Sequence, residues 1–173
     1  MVYVITGGPG FGKTILIEKL QELGYPVGGE IARQIIENQI AEGGDMLPWK
    51  DHAGFEKRVM KERIDFLNSV DADEIAFSDR GLPDQSAFSL YKGKVISPML
   101  KAALETNRYA TKVFVTPPWR QIYKNDQIRT ESFEEAVEIH NFIVKSYMNY
   151  GYELIDLPFA SPEKRVEFIQ NTI

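Results

Sequence analysis

Eight consecutive residues near the N-terminus have the types and spacing to hold a phosphate chain: Gly7-Gly8-Pro9-Gly10-Phe11-Gly12-Lys13-Thr14 fills the pattern G-x-x-x-x-G-K-[ST] in full. Glycines let backbone N–H groups turn inward and approach an anion closely. A helix starting where the loop ends adds its N-terminal partial positive charge. The Lys13 ammonium is placed to neutralise the β- and γ-phosphates, and the Thr14 hydroxyl is a natural Mg²⁺ ligand. Gly8, Gly10, Phe11 and Gly12 contribute backbone to the same cradle. The ligand this pattern implies is a nucleoside triphosphate with Mg²⁺.

Other residues decide what such a loop does. Asp79 closes the apolar run Ile75-Ala76-Phe77, where a carboxylate can hold Mg²⁺ directly or through water. The alternatives are a cap on the following helix or a pair with Arg80. Glu30 follows a short strand and has the reach to take a proton from an acceptor hydroxyl, or it is an exposed acid favoured by a helix dipole. Arg33, one turn on, could pair with Glu30 or bind substrate. The segment from Pro117 to Thr130 has Arg120, Lys124 and Arg129, charges that suit a lid closing over a transferring phosphoryl group. His52 has no companion at ligand spacing, so no zinc site is expected. His140 shares a helix face with Phe133, Val137 and Val144 and reads as a core histidine. Glu56-Lys57-Arg58 and Lys61-Glu62-Arg63 read as a solvated helix face. Trp49 and Trp119 either stack on a base or simply pack.

Beneath these groups, Val2 to Thr6 is apolar on both faces, as in a buried parallel strand. Ile15, Leu16, Leu20 and Leu23 recur at helical spacing before Gly24. A strand near Tyr25 to Gly28 leads to a helix from about Ile31 to Ala41, and a charged helix follows from about Gly54 to Ser69. Further strands are expected at Glu74 to Ser78, Lys112 to Thr116 and Tyr152 to Leu157, with one or two short helices in 83–106. The helix from Phe133 to Tyr150 is expected to present positions 133, 137, 140, 144 and 147 to the core, and a last helix spans about 162–171. Strands alternating with helices predict a parallel α/β sandwich.

Composition fits that plan. The chain has 173 residues, enough for one compact domain, and 43% hydrophobic with 26% charged residues is ordinary for a globular protein. A net charge of −5 gives no electrostatic reason to expect nucleic acid as a partner. The chain has no cysteine, which removes disulfide and thiolate chemistry. Met1-Val2-Tyr3-Val4 lacks the basic start of a signal peptide, and no uncharged run reaches the roughly 18 residues of a membrane span. The expectation is cytoplasmic.

Together the motifs Gly7–Thr14, Glu30-Ile31-Ala32-Arg33, Phe77-Ser78-Asp79-Arg80-Gly81-Leu82-Pro83-Asp84, Pro117-Pro118-Trp119 and Gly151-Tyr152-Glu153-Leu154-Ile155-Asp156-Leu157-Pro158 resemble the small AAA-type ATPases. These are similar to P-loop kinases, above all to the nicotinamide riboside kinase domain of NadR-like proteins. The resemblance covers almost the whole chain. It implies a three-layer P-loop NTPase fold, a five-stranded parallel sheet in the order 2-3-1-4-5, and one kinase-like domain over 1–173 with a lid at about 117–130. By motif position it puts Glu30 opposite the acceptor hydroxyl, Arg80 and Asp84 toward substrate, Arg129 in the lid and Leu157 to Ser161 beside the adenine. Phe11 departs from the small residue frequent in such loops and is expected to point outward between its glycines. The function implied is an ATP- and Mg²⁺-dependent small-molecule kinase acting on a nucleoside- or nucleotide-like hydroxyl. The alternative is a regulatory ATPase or GTPase switch that binds a protein or lipid partner. No guanine-reading N-K-x-D run occurs, which favours ATP.

Overall fold

The computed structural model of the chain describes residues 1–123 and 131–173. Val2–Thr6 forms β1 at the centre of a sheet, because its side chains are apolar on both faces and helices cover both. The elements then run α1 (Thr14–Glu22), β2 (Val27–Gly28), α2 (Ile31–Glu42), α3 (His52–Ser69), β3 (Ala76–Asp79), α4 (Leu82–Tyr91), α5 (Pro98–Thr106), β4 (Lys112–Val115), a 3₁₀ turn (Arg120–Ile122), α6 (Phe133–Asn149), β5 (Glu153–Asp156) and α7 (Pro162–Gln170). All five strands are parallel, in the order β2-β3-β1-β4-β5. This is the expected three-layer P-loop fold.

Alternation along the strands divides the core. Val2, Val4, Ala76 and Val113 face one side and pack with Met60, Leu82, Leu104, Ile143 and Tyr147 from the helices α3 to α6. Ile5, Phe77, Phe114 and Leu157 face the other side, against Leu16, Ile17 and Leu20 of α1 and Val166 and Ile169 of α7. A small third cluster joins α2 to α3 through Ile31, Ile35, Phe55 and Val59. Among the described residues no helix is long and apolar enough to cross a membrane.

Two helices are rotated from the faces expected of them. In α1 the buried stripe is Leu16, Ile17 and Leu20, while Ile15 and Leu23 are exposed. In α6 the buried positions are Ala136, Ile139, His140, Ile143, Ser146 and Tyr147. Positions 133, 137 and 144 lie at the margin of that stripe. Small residues mark the close approaches: Ser146 Oγ bonds both Ser86 Oγ and the Pro83 carbonyl of α4, and the Ala136 carbonyl lies against Gly8 of the loop after β1.

Parallel strands all end on one edge. Thr6, Gly28, Asp79 and Val115 reach it together, so the loop after β1, Glu30 after β2 and Asp79 at the end of β3 converge at the carboxyl end of the sheet, where open α/β folds bind ligands.

Candidate active site

The loop between β1 and α1 is held from below. Gly7 has φ +132°, and a Cβ there would lie 2.3 Å from Thr116 Oγ1, so the turn requires glycine. Thr116 N and Oγ1 both donate to the Thr6 carbonyl, at 2.8 and 3.1 Å, fixing the end of β4 against the start of the loop. Lys13 is buried and its ammonium donates to the carbonyls of Gly7 (3.1 Å) and Gly8 (2.8 Å), curling back over the loop.

Phe11 corrects the sequence expectation. Its side chain does not point outward; it is fully buried in an aromatic cluster with Tyr123, Phe133 and His140. The ring anchors the loop to α6 through Phe133 and His140. His140 is buried, as expected of a core histidine, but it also touches the loop: Gly8 N donates to its Nδ1 at 3.4 Å. Burial, with Lys13 and Arg80 nearby, pushes its pKa down to about 4, so the ring is neutral and can accept that bond.

Asp79 is buried, and neither carboxylate oxygen has a hydrogen-bond partner among the described residues. Burial raises its pKa, opposed by the charges of Lys13 and Arg80. A carboxylate stripped of water and given no donor fits a cation site rather than a helix cap. Thr14 supplies a hydroxyl on the same edge, donating to Glu30 Oε1 at 3.0 Å. Asp79 and Thr14 therefore fit Mg²⁺ held jointly with a triphosphate; no cluster of three or more acidic, His or Cys ligands occurs among the described residues to hold a metal alone.

Arg80 stands at φ +70°, a left-handed conformation that costs a non-glycine residue about 1–3 kcal/mol. The strain is over-determined: Arg80 N donates to the Ile5 carbonyl, Ser78 Oγ donates to the Arg80 carbonyl at 2.7 Å, and Arg80 Nη1 donates to Asp84 at 2.8 Å. Asp84 does not reach the cleft, contrary to expectation. It is wholly buried, and its oxygens accept from Thr6 Oγ1, Arg80 Nη1, the Gly81 N–H and Tyr147 OH. Burial works to raise its pKa, but Arg80 and Arg63 outweigh that and hold it low. It is the post to which Arg80 is tied.

Two cavities meet at Glu30. One, of about 220 Å³, is lined by Gly10, Gly12, Lys13, Thr14, Ile15, Ile122 and Glu30. The other, of about 200 Å³, is lined by Glu30, Arg33, Ile36, Arg63, Asp79, Arg80 and Phe88, among others. Arg33 bonds Glu37 at 3.0 Å and lies 3.8 Å from Glu30. Arg120 points away from both cavities' linings: it is exposed, paired with Glu134 and stacked 4.1 Å above the Phe133 ring. Arg129 and Lys124 lie outside the described residues.

Two arginines were missed. Arg63 was read as part of a solvated face, yet it is buried on α3 in register with Phe55 and Val59; the i, i+4, i+8 spacing was the available signal. Its neighbours Arg58 and Lys61 do form solvated pairs, with Glu62 and Asp65. Arg165 on α7 is also buried, and its Nη1 would lie 3.3 Å from a Cβ at Gly12. Trp119 and Phe159 meet edge to face, with centroids 5.3 Å apart, beyond the ends of β4 and β5, whereas Trp49 is exposed elsewhere.

The AAA domain family model matches residues 2–165. The chain belongs to that family. Solved structures similar to this AAA domain include deoxyadenosine kinase from M. mycoides with dCMP and dCDP, at 16% identity and a TM-score of 0.66, covering 99% of this chain and 98% of that one. Shikimate kinase from Aquifex aeolicus follows at 14% identity and a TM-score of 0.60, covering 99% of this chain. It spans 98% of that one as well. The NadR protein in complex with NR has 19% identity and a TM-score of 0.68 over 98% of this chain but 49% of that one. At these identities the likeness is one of fold. No curated protein matches the sequence.

Proposed function

We propose that this AAA domain is an ATP-dependent small-molecule kinase that transfers the γ-phosphoryl group to the hydroxyl of a nucleoside- or nucleotide-like acceptor. The observation that carries this reading is the pair of cavities sharing Glu30, one lined by the glycine-rich loop and the other a recess of charged and apolar side chains that includes Asp79 and Arg80. An in-line transfer needs donor and acceptor compartments that meet at one point, with a group there to take the hydroxyl proton.

In this reading the loop amides and Lys13 hold the β- and γ-phosphates. Thr14 and Asp79 hold Mg²⁺, which supplies neutralisation of charge on the phosphate oxygens. Glu30 orients the acceptor hydroxyl and accepts its proton as the bond to phosphorus forms. Arg80, fixed by Asp84, faces the transferring group from the acceptor side, and Arg33 keeps Glu30 in place. Trp119 and Phe159 offer an aromatic surface to the base of the donor. The lid over about 117–130 excludes water, with Arg129 and, once it leaves Glu134, Arg120 supplying charge. A switch module would want an open apolar surface beside Glu30; the recess there sets three arginines and three acids beside Pro9, Ile31, Ala32, Ile36 and Phe88, a mixed lining that suits a small molecule with a charged and an apolar part. The similar folds of deoxyadenosine kinase, shikimate kinase and NadR fit the kinase reading.

The test is a screen of the purified chain with MgATP against nucleosides, nicotinamide riboside and nucleoside monophosphates. Transfer of the γ-phosphate to a member of the panel is expected. Tight nucleotide binding with no transfer to any member would favour the switch.

A further inference from the structure

The acceptor recess contains a cation that the mechanism above does not use. Arg63 is 4% exposed, yet it lines the cavity. Its Nε and Nη1 have no hydrogen-bond partner among the described residues. The acid whose field it feels is Asp84, and those oxygens are already taken by Thr6, Arg80, Gly81 and Tyr147. Buried guanidinium groups are as a rule paired, because stripping the charge of water without replacing its partners is costly. The same helix stripe holds Phe55 and Val59, so an apolar residue at this position would have packed at no such cost.

We infer that Arg63 anchors an anionic group of the acceptor, a phosphate monoester or a carboxylate. This rests on the kinase reading and narrows it to a class of substrate. The planar fork of arginine suits either oxyanion, and the other two arginines of the recess are committed: Arg80 to Asp84 and Arg33 to Glu37. The acceptor then lies with its hydroxyl at Glu30, its anion at Arg63 and its apolar part against Ile36 and Phe88. A neutral analogue would leave the buried guanidinium without a partner, which is how such a site disfavours it.

The experiment saturates the donor loop of the full chain with Mg²⁺ and a non-hydrolysable ATP analogue, so that added anions cannot occupy it. Calorimetric titration then compares nucleoside 5′-monophosphates, the matching uncharged nucleosides and small hydroxy-carboxylates, on wild type, Arg63→Met and Arg63→Lys; thermal unfolding is followed in parallel with inorganic phosphate. At least one charged arm is expected to bind about 10- to 100-fold more tightly than its neutral counterpart. Which arm does so separates monophosphate from carboxylate. Arg63→Met is expected to erase the preference and the stabilisation by phosphate while melting, unliganded, no lower than wild type. Arg63→Lys is expected to keep part of the preference. Equal binding of charged and neutral compounds by wild type overturns the inference, and that comparison stands even if Arg63→Met does not fold. Undiminished anion binding by a folded Arg63→Met also overturns it. Anion preference without phosphoryl transfer from ATP to any compound overturns the kinase reading and sustains the Arg63 site. Transfer to neutral nucleosides without anion preference does the reverse.

Discussion

Truncating Phe11 to alanine probes whether the phosphate-binding loop is shaped from beneath by its own side chain. The ring is 0% exposed, with centroids 6.2 Å from Tyr123, 5.8 Å from Phe133 and 5.9 Å from His140. Removing a fully buried phenyl group loses its transfer free energy and leaves a cavity, together about 3–5 kcal/mol. Two of the three ring neighbours, Phe133 and His140, cannot collapse into the space without moving α6, which places the cost in the body of that range. A Cβ on Gly8 would stand 2.4 Å from Phe11 Cε2 and 2.5 Å from the Ala136 carbonyl. Gly8→Ala therefore meets two obstacles in the native protein and one in the Phe11→Ala background. The pair should couple by on the order of 1 kcal/mol. Urea unfolding followed by circular dichroism gives the stability change, and an unchanged slope with denaturant keeps the comparison two-state. MgATP affinity, measured on the folded variant, should fall as the loop amides lose their backing. A stability change within about 0.5 kcal/mol, the range of an exposed site, with nucleotide binding intact, would show that the ring does not back the loop.

Other outcomes follow from the same site. Asp79→Asn removes a buried carboxylate with no donor among the described residues, so the nucleotide-free protein should gain about 1 kcal/mol in urea melts while phosphoryl transfer is lost. Asp84→Ala strands Arg80 and the three other donors; a loss of about 3–5 kcal/mol is expected, and a loss below about 1 kcal/mol would deny the network its role. For His140 the folded pKa of about 4 lies below the ordinary 6.5, so between these values the unfolded chain takes up a proton that the folded one refuses. Its contribution is intact above about pH 6.5, falls as pH drops toward 4 and stays lost below, by at most about 3 kcal/mol. His140→Asn, which keeps an acceptor for Gly8 N–H, should flatten that part of the stability–pH curve relative to wild type.

Much of the architecture was legible because it is local. The run Val2 to Thr6, the glycine-rich loop and the helix after it announce themselves by period and residue type, and Gly43, at φ +67°, ends α2 where the Gly43-Gly44 pair predicts. Asp79 could be placed at a strand end for the same reason. What stayed hidden depends on residues far apart in the chain. Phe11 reads as solvent-facing by its flanking glycines, and only α6, more than a hundred residues later, gives the ring somewhere to go. Asp84 belongs to the same motif as Arg80, yet its partners Thr6 and Tyr147 come from β1 and α6, so nothing nearby shows that its oxygens are spent. Arg63 sat in a run of charges whose composition spoke for solvent, while its spacing from Phe55 and Val59 spoke for burial; the spacing was right. In α6 small Ser146 marks the close contact with α4 and small Ala136 the approach of the loop at Gly8, which a count of large apolar residues passes over.

In the proposed reaction Glu30 stands between donor and acceptor and takes the acceptor's proton. The direct measurement is single-turnover transfer from γ-labelled ATP, for wild type and Glu30→Gln, with nucleotide affinity measured alongside. That role predicts that wild type moves the label to the acceptor, and that Glu30→Gln binds MgATP as well but transfers the label about 10²–10⁴-fold more slowly. Undiminished transfer by Glu30→Gln, or label released by wild type only as inorganic phosphate whatever acceptor is present, would contradict it.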